Sequence, residues 1–519
     1  MNVRFWTCVL IFAPICSTYK ILVVSPFPSK SHSILGDGYV NILLEAGHEI
    51  TYVTGFQNNI SNPLLHQIDV TENEKYFPFN KMDIKVILNK EVNVNDASLF
   101  LPSLANLHKE TLKNKEVRKM LNDPGQKFDL VIAEWMFSEL YSGLSAVFEC
   151  PLIWFSSMEP HFMILRLIGE PSNPAYTSFT LSYNTAPFTF TQRVEELFLQ
   201  AVSYILSDWS VYYKNKENYE HIFGPAMAKR GKPLPLYEEI RYNASLILGN
   251  SHASLGEAIA LPQGYKPIAG YHINSNVKPL PKNLQTIMDN ATNGVVYFSL
   301  GTIIKSRDMP DLLKHQLLKI FSNMKQTVLW KFEEDFPNLP KNVHVLKFAP
   351  QQSILRHPNC LLFITHGGLL STTEAVHFAV PIIGISVFGD QHVNVQRAVN
   401  KGFAMKVDLS YNMAEDLDRA IKEMLGNPRY RNRVKDLSFA YHHRPATPQA
   451  EILHWVEHVA MTRGAPHLRS PALAVAWYQK LYLDLLALLL AALYLILIIF
   501  KKIVSLYWRG KRSDKKKIN

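Results

Sequence analysis

Phe363-Ile364-Thr365-His366-Gly367-Gly368-Leu369-Leu370-Ser371-Thr372-Thr373-Glu374 decides the fold of this chain. A buried-strand pattern runs into two glycines, and a helical pattern begins at Ser371 and Thr372. Glycine lets backbone approach a ligand closely. The first free N–H groups of a helix point, with the positive end of its dipole, at whatever lies there. Strand, glycine turn and helix N-terminus in that order predict a diphosphate site. His366 can donate to a phosphate and Ser371 can add a hydroxyl. Glu374, one turn further, can accept from both hydroxyls of a ribose.

Working outward, short β-branched runs alternate with helical stretches along most of the chain. That alternation predicts parallel sheets covered by helices on both faces. The expected strands of a first series are Ile21–Ser25, Glu49–Thr54, Ile84–Leu88, Leu130–Ala133, Leu152–Ser156 and Leu246–Gly249. Between them, one helix ends near Gly47 and another covers Ser103–Leu121. A Pro/Gly/Asn-rich stretch, Leu261–Asn293, reads as an interdomain linker. The second series is Val295–Leu300, Gln326–Phe332, Val343–Leu346, Leu361–Thr365, Val380–Ile385 and Phe403–Val407. The expectation is an α/β protein of two Rossmann-like, doubly wound domains, 19–275 and 276–445, facing a cleft, with ligands at the carboxyl ends of the strands. Aromatic residues crowd 188–223 (Phe188, Phe190, Phe198, Tyr204, Trp209, Tyr212, Tyr213, Tyr219, Phe223), where core packing is favoured over an acceptor pocket or a membrane-facing surface.

Both ends of the chain carry targeting signals. Arg4, a largely apolar run from Phe5 to Cys16, and small residues after it follow the order of a secretory signal peptide, residues 1–18. Residues 446–480 read as helices leading to a membrane segment, 481–500, followed by a basic cytosolic tail, 501–519. Twenty residues at 1.5 Å each span about 30 Å, the hydrocarbon thickness. Asp484 is the single charge in that segment, and Lys501 and Lys502 follow it, so by the positive-inside rule the body is lumenal. Lys516 and Lys517, before Ile518 and Asn519, read as a retrieval address, placing a single-pass type I protein in the endoplasmic reticulum membrane.

The 519 residues exceed one compact core, and 47% hydrophobic against 19% charged excludes a disordered or fibrous chain. Of the net charge of +10, residues 501–519 hold +7, so the near-neutral body lacks a nucleic-acid footprint. Cys8 and Cys16 leave with the signal peptide, and Cys150 and Cys360 make no disulfide framework. Sequons at Asn59, Asn243 and Asn290 are N-glycosylation candidates if the body is lumenal. Asp416-Leu417-Asp418 falls in a helical pattern beside Glu415 and Arg419 and reads as a solvated face, so no metal site is expected.

Around the glycine turn stand Phe348-Ala349-Pro350-Gln351-Gln352 upstream, and Pro381 and Phe388-Gly389-Asp390-Gln391 downstream. Phe348 through Gln391 resemble the signature segment of the UDP-glycosyltransferases, a membrane-bound family that conjugates small lipophilic molecules with sugars. The resemblance extends to Tyr297-Phe298-Ser299-Leu300-Gly301-Thr302 and Gly464-Ala465-Pro466-His467-Leu468-Arg469, and to the signal peptide, anchor and dilysine tail. It implies the GT-B arrangement of two facing domains. It also implies that Phe348 stacks on uracil, where many relatives have Trp, and that Gln351 contacts the nucleoside. Ser299, Gly301, Thr302, Thr365, His366, Gly368 and Ser371 would surround the diphosphate, with Glu374 on the ribose. Asp390 and Gln391 would bind the sugar hydroxyls. Leu370 replaces an Asn, and Ser386 a Pro, found in some relatives.

The resemblance places a base histidine after the first strand, where Pro26-Phe27-Pro28-Ser29-Lys30-Ser31-His32 leads into a helix, and His32 matches. A neutral imidazole there would take the proton of an acceptor hydroxyl. Many relatives orient this histidine with an Asp; here Phe128-Asp129-Leu130-Val131-Ile132-Ala133 leads to Glu134, one methylene longer. The implied partners are a UDP-sugar donor, a small lipophilic acceptor as in detoxification or conjugation, and the membrane, but no nucleic acid; a homo-oligomer is compatible with them. The UDP-sugar is a co-substrate and no cofactor is implied. Glucose is favoured over glucuronic acid because no extra cation stands near Asp390 and Gln391. First-domain loops, including Met158, His161 and Phe162, would form the acceptor pocket. The competing class is a catalytically inactive, membrane-anchored protein that binds lipophilic ligands.

Overall fold

The computed structural model describes residues 18–57, 60–77, 83–93, 97–180, 182–206, 211–274 and 276–516. The signal-peptide residues 1–17, Asn59, Trp209 and the last three residues of the dilysine tail lie outside them. The chain forms two compact units, one ending at Arg469 and one beginning at Ser470.

The first unit is built on two all-parallel sheets. One contains β1 (Lys20–Ser25), β2 (Glu49–Thr54), β3 (Leu65–Asp69), β4 (Leu130–Glu134), β5 (Leu152–Ser156), β6 (Leu246–Gly249) and β7 (Tyr265–Pro267), in the order β3-β2-β1-β4-β5-β6-β7. The other contains β8 (Val295–Ser299), β9 (Thr327–Lys331), β10 (Val343–Leu346), β11 (Cys360–Thr365), β12 (Ile382–Gly384) and β13 (Ala404–Lys406), in the order β10-β9-β8-β11-β12-β13. The central strands are apolar on both faces, and every residue of β4, β5 and β8 is buried, as helices on both sides of a parallel sheet require. Strand order reverses between β1 and β4 and again between β8 and β11. Each reversal opens a crevice at the carboxyl ends of the strands.

Four expectations need correcting. Ile84–Leu88 is a helix: the Asp83 carboxylate caps it by accepting from the Lys85 N–H at 2.7 Å, and Ile84, Ile87 and Leu88 pack against the core of the second sheet. The single helix expected over Ser103–Leu121 is two, Ala97–Lys113 and Lys115–Asn122. Asn114 interrupts them, its side-chain oxygen accepting from the N–H groups of Glu116 (2.9 Å) and Val117 (3.3 Å). The Leu261–Asn293 stretch is more than a linker, since it contains β7 and the helix Lys282–Asp289. In the aromatic region, Tyr219 and Phe223 are fully buried core, but the helix Phe190–Leu206 exposes Phe190, Val194, Leu197, Phe198, Ile205 and Leu206.

After the second sheet the chain returns to the first. Thr447 caps the helix Pro448–Met461. Ile452, Val456 and Val459, all fully buried, share a core with Ile21, Val23, Tyr39 and Leu130. The second unit carries the helix Leu483–Lys516, in which an 18-residue window within Leu483–Arg509 reaches a mean hydropathy of 2.8. It is long and apolar enough to cross a membrane. Because the Pro448–Met461 helix fills the first core from a distant part of the sequence, Ile452→Ala should lower unfolding free energy by about 2–5 kcal/mol. Urea unfolding of the chain checks this.

Candidate functional site

At the first crevice, β1 leads through Pro26-Phe27-Pro28 into the helix Lys30–Glu45, and the Ser29 hydroxyl accepts from the His32 N–H at 3.5 Å. His32 Nδ1 hydrogen-bonds Glu134 Oε1, at the end of β4. The Ser25 hydroxyl, at the end of β1, donates to Glu134 Oε2 at 3.0 Å. Glu134 is fully buried, whereas 16% of the His32 side chain reaches solvent. A buried carboxylate is tolerated only when paired and hydrogen-bonded, and these two partners meet that need. Because an ionised carboxylate only accepts, Nδ1 carries the proton and Nε2 holds the lone pair. The Phe27 ring, 4.4 Å from that of His32 between centroids, packs beside the imidazole. The extra methylene of Glu134 does not prevent the pairing.

At the second crevice, Ser299 and Thr365 are register partners at the ends of β8 and β11. Each hydroxyl caps the turn beyond it: Ser299 Oγ accepts from the Gly301 N–H and Thr365 Oγ1 from the Gly367 N–H, both at 3.3 Å. The His366 ring lies between two glycines. A Cβ on Gly301 would meet it at 2.7 Å, and one on Gly368 at 2.5 Å; Gly301 also has φ +83°, in the left-handed region. Side chains at either position would displace the imidazole, which accounts for both glycines. Burial, helped by Lys331, pulls the His366 pKa down to about 4, so the ring is neutral at physiological pH. Its Nδ1 is buried with no hydrogen-bond partner. The helix Leu369–His377 starts directly after Gly368.

Glu374 lies in that helix, largely buried. Gln351 Nε2 donates to its Oε2 at 2.6 Å and Gln352 Nε2 to its Oε1 at 3.0 Å. The same Gln351 amide lies 3.1 Å from Ser371 Oγ, and the Tyr297 hydroxyl donates to Gln351 Oε1 at 3.3 Å. Phe348 is 81% exposed, an open ring face beside this cluster in sequence, and Thr302 is also exposed. Asp390 and Gln391 begin the helix Gln391–Asn400. Gln391 turns its side-chain oxygen back to the N–H groups of Val387 (2.9 Å) and Phe388 (3.1 Å), pinning the loop before it. Asp390 accepts from the Asn394 amide at 2.9 Å.

The two crevices lie within electrostatic reach of one another. Burial raises the Asp390 pKa, and His32 is among the groups that oppose the rise, with Asn394 and Arg397. The imidazole of the first sheet and the carboxylate of the second therefore share one electrostatic environment. Leu370, beside the glycine turn, packs against the first-domain core.

Sequence reading missed Ser25, Gln352, Tyr297 and Lys331. Lys331 ends β9 and donates to the Gly301 carbonyl at 2.9 Å while pairing with Glu333 at 2.6 Å. Its signal was a cation closing a buried strand. Gln352 had one too, as the second amide of Pro350-Gln351-Gln352. Asn243 and Asn290 are both exposed, and Arg469 donates to the Asn243 side-chain oxygen. Asp416 and Asp418 pair with Arg419 and Lys422 on the solvent-facing side of the helix Met413–Gly426, whose other side is buried. Among the described residues, His, Cys, Asp and Glu form no group of three or more able to hold a metal ion.

The sequence profile of the UDP-glucoronosyl and UDP-glucosyl transferase family matches residues 29–517. UDP-glycosyltransferase UGT5 of Dactylopius coccus is 31% identical over 509 residues, covering 97% of this chain and 93% of its own. UDP-glucosyltransferase 2 of the same insect is 30% identical, with 96% of each chain covered. Human UDP-glucuronosyltransferase 2B10 is 27% identical, with 91% of each covered. Among solved structures, the glycosyltransferase VinC with dTDP superposes at a TM-score of 0.54 and 13% identity, covering 85% of this chain and all of VinC. A UDP-glucosyltransferase from Polygonum tinctorium gives 0.51 and 14%, with 86% and 99% covered. These two share the GT-B fold.

His366 binds a proton more readily unfolded, near 6.5, than folded, near 4. Its contribution is therefore a loss of stability as pH falls from about 6.5 to about 4, where the unfolded state takes up the extra proton. Thermal unfolding of His366→Gln across that window should show a shallower acid decline than the unaltered chain.

Proposed function

We infer the chemistry from the premise that this chain belongs to the UDP-glucoronosyl and UDP-glucosyl transferase family: it transfers a hexosyl group from a UDP-sugar to a hydroxyl of a small lipophilic acceptor, inverting the anomeric carbon. The observation that carries this reading is the His32–Glu134 pair facing Asp390 across the cleft. The acceptor hydroxyl gives its proton to His32 Nε2 as its oxygen bonds to the anomeric carbon. The bond from that carbon to UDP breaks, and its electron pair leaves with UDP. Glu134 is a positioning residue: it fixes the tautomer and compensates the imidazolium as it forms.

On the donor side, Phe348 offers its exposed face to uracil, Gln351 meets the nucleoside and Glu374 the ribose. Ser299, Gly301, Thr302, Thr365, His366, Gly368 and Ser371 line the diphosphate. A carboxylate offers about four acceptor sites, so Glu374 can keep its two glutamine amides and still receive ribose hydroxyls. The neutral His366 and the helix start beside it meet the charge developing on the departing diphosphate. Asp390 and Gln391 read the sugar hydroxyls. No metal or cofactor enters this scheme.

The expectation that no cation stands near Asp390 needs amending, because Arg397 is close enough to affect it. Arg397 is nevertheless held by Glu257 at 3.5 Å, and glucose remains the favoured donor over glucuronic acid. The apolar Leu483–Arg509 helix and the basic residues after it support a single-pass anchor with a lumenal body in the endoplasmic reticulum. The alternative, an inactive binding protein, would have no reason to retain both the buried base pair and the facing donor groups.

His32→Ala should lower turnover by about 10²–10⁴ while leaving UDP affinity unchanged, measured by product formation from UDP-glucose with a phenol and by calorimetric titration of UDP. Undiminished turnover would remove His32 as base. UDP-glucose hydrolysis or transfer by the unaltered chain separates the enzymatic from the inactive reading.

A further inference from the structure

Next to the base pair, the first domain holds a buried histidine with no hydrogen-bond partner for either ring nitrogen. His161 is 4% exposed, and neither Nδ1 nor Nε2 is satisfied. It precedes the short helix Phe162–Leu165 but makes no capping bond to it. Burial, with Arg397 adding to it, lowers its pKa to about 3. The ring is thus neutral and presents one donor and one acceptor. Leaving two such atoms unsatisfied in the interior is unfavourable, so their retention calls for a polar group that arrives from outside.

The surroundings say what kind of molecule brings it. The His161 ring lies 5.4 Å from Trp135 and 6.5 Å, stacked, from Phe137, centroid to centroid. These residues directly follow Glu134. Phe137 has φ +57°, a left-handed conformation that is strained for a bulky side chain and is kept where the surrounding structure and function demand it. Phe137 also packs against the cluster of Phe27, Leu104, Leu107 and Met136, and Phe27 lies against His32. An aromatic wall therefore runs from the base to a neutral histidine with two open valences. Such a wall fits a flat ring system, and the histidine fits an oxygen at the end remote from the reacting hydroxyl.

We propose that His161 is the acceptor-recognition residue of this site, and that the preferred acceptors are flat aromatic alcohols carrying a second hydroxyl, which His161 binds while the first faces His32. This rests on the transferase reading for the meaning of "acceptor", but its test does not need turnover.

Equilibrium dialysis of the full chain with UDP present compares 1,5-dihydroxynaphthalene with 1-naphthol. The unaltered chain should bind the diol about tenfold more tightly, the usual scale for one added hydrogen bond to a group otherwise left unpaired. His161→Leu should erase that preference, bringing the diol to the affinity of 1-naphthol, and keep or raise the melting temperature, since it removes two buried unsatisfied atoms. His161→Asn, which keeps a donor and an acceptor, should restore part of the preference. Equal affinity for the two probes in the unaltered chain overturns the proposal whether or not His161→Leu folds. So does a loss in His161→Leu that is the same for both. If no sugar is transferred under any condition, the transferase reading fails, and the dialysis result still decides the role of His161.

Discussion

The arrangement hinges on burying one carboxylate. Glu134 ends a strand whose every residue is buried, so its charge is withdrawn from water at a cost of several kcal/mol unless partners replace the lost hydration. Those partners are dictated by topology. The order of the first sheet makes β1 the neighbour of β4, which brings the end of β1 and the helix after it against the carboxylate. Ser25 takes one oxygen and His32 the other. Once that is fixed, the imidazole has no choice of tautomer, and its outward nitrogen is the one with a lone pair. A requirement of folding thus fixes the orientation of His32, and removing Glu134 would disturb both.

The second sheet solves a different problem by the same topological device. Its strand order reverses between β8 and β11, and the turns leaving those strands are tied down by Ser299 and Thr365. With the hydroxyls engaged, the glycines free of side chains and a neutral imidazole wedged between them, the turns are held by polar groups, and the cation against them, Lys331, is tied to the Gly301 carbonyl and to Glu333. Glu374, at the edge of this crevice, is already held by two glutamine amides. Little reorganisation is then left for the moment of reaction, which is the condition under which fixed dipoles favour charge development most strongly.

How much of this was legible depends on whether a residue's role is local. The central strands of both sheets could be read from their β-branched runs, because two-sided burial leaves an unbroken apolar pattern. β3 could not: in Leu65–Asp69 only Ile68 is buried, and an edge strand carries no such pattern. Ile84–Leu88 misled because four apolar residues in five fit either period, and the Asp83 cap decides for helix. His32 and Glu134 are 102 positions apart in the chain, so their pairing becomes visible only when β1 and β4 are neighbours. Ser25 was missed because a serine closing a strand is unremarked until a carboxylate is seen beside it. The unsatisfied nitrogens of His161 lay beyond reach, since the absence of a partner is a property of three-dimensional packing.

How two crevices on separate sheets are held together is a question of which element links them. Helix Gln391–Asn400 answers it. Its first turn carries Asp390 and Gln391, and the rest of its length is fastened to the first domain. The His392 ring lies tilted against that of Tyr183, 4.6 Å between centroids, Arg397 pairs with Glu257 at 3.5 Å, and Asn400 donates to Thr185 at 2.8 Å. Beneath this seam lies Glu159, whose pKa burial pushes up to about 7, with Arg397 and Lys401 opposing the rise. On the far side, the helix Pro448–Met461 brings the chain back into the first core. The two sheets are therefore joined at several places: by polar contacts along the helix Gln391–Asn400, by the apolar helix Pro448–Met461 beneath the first sheet, and by Ile84, Ile87 and Leu88 packed on the second core.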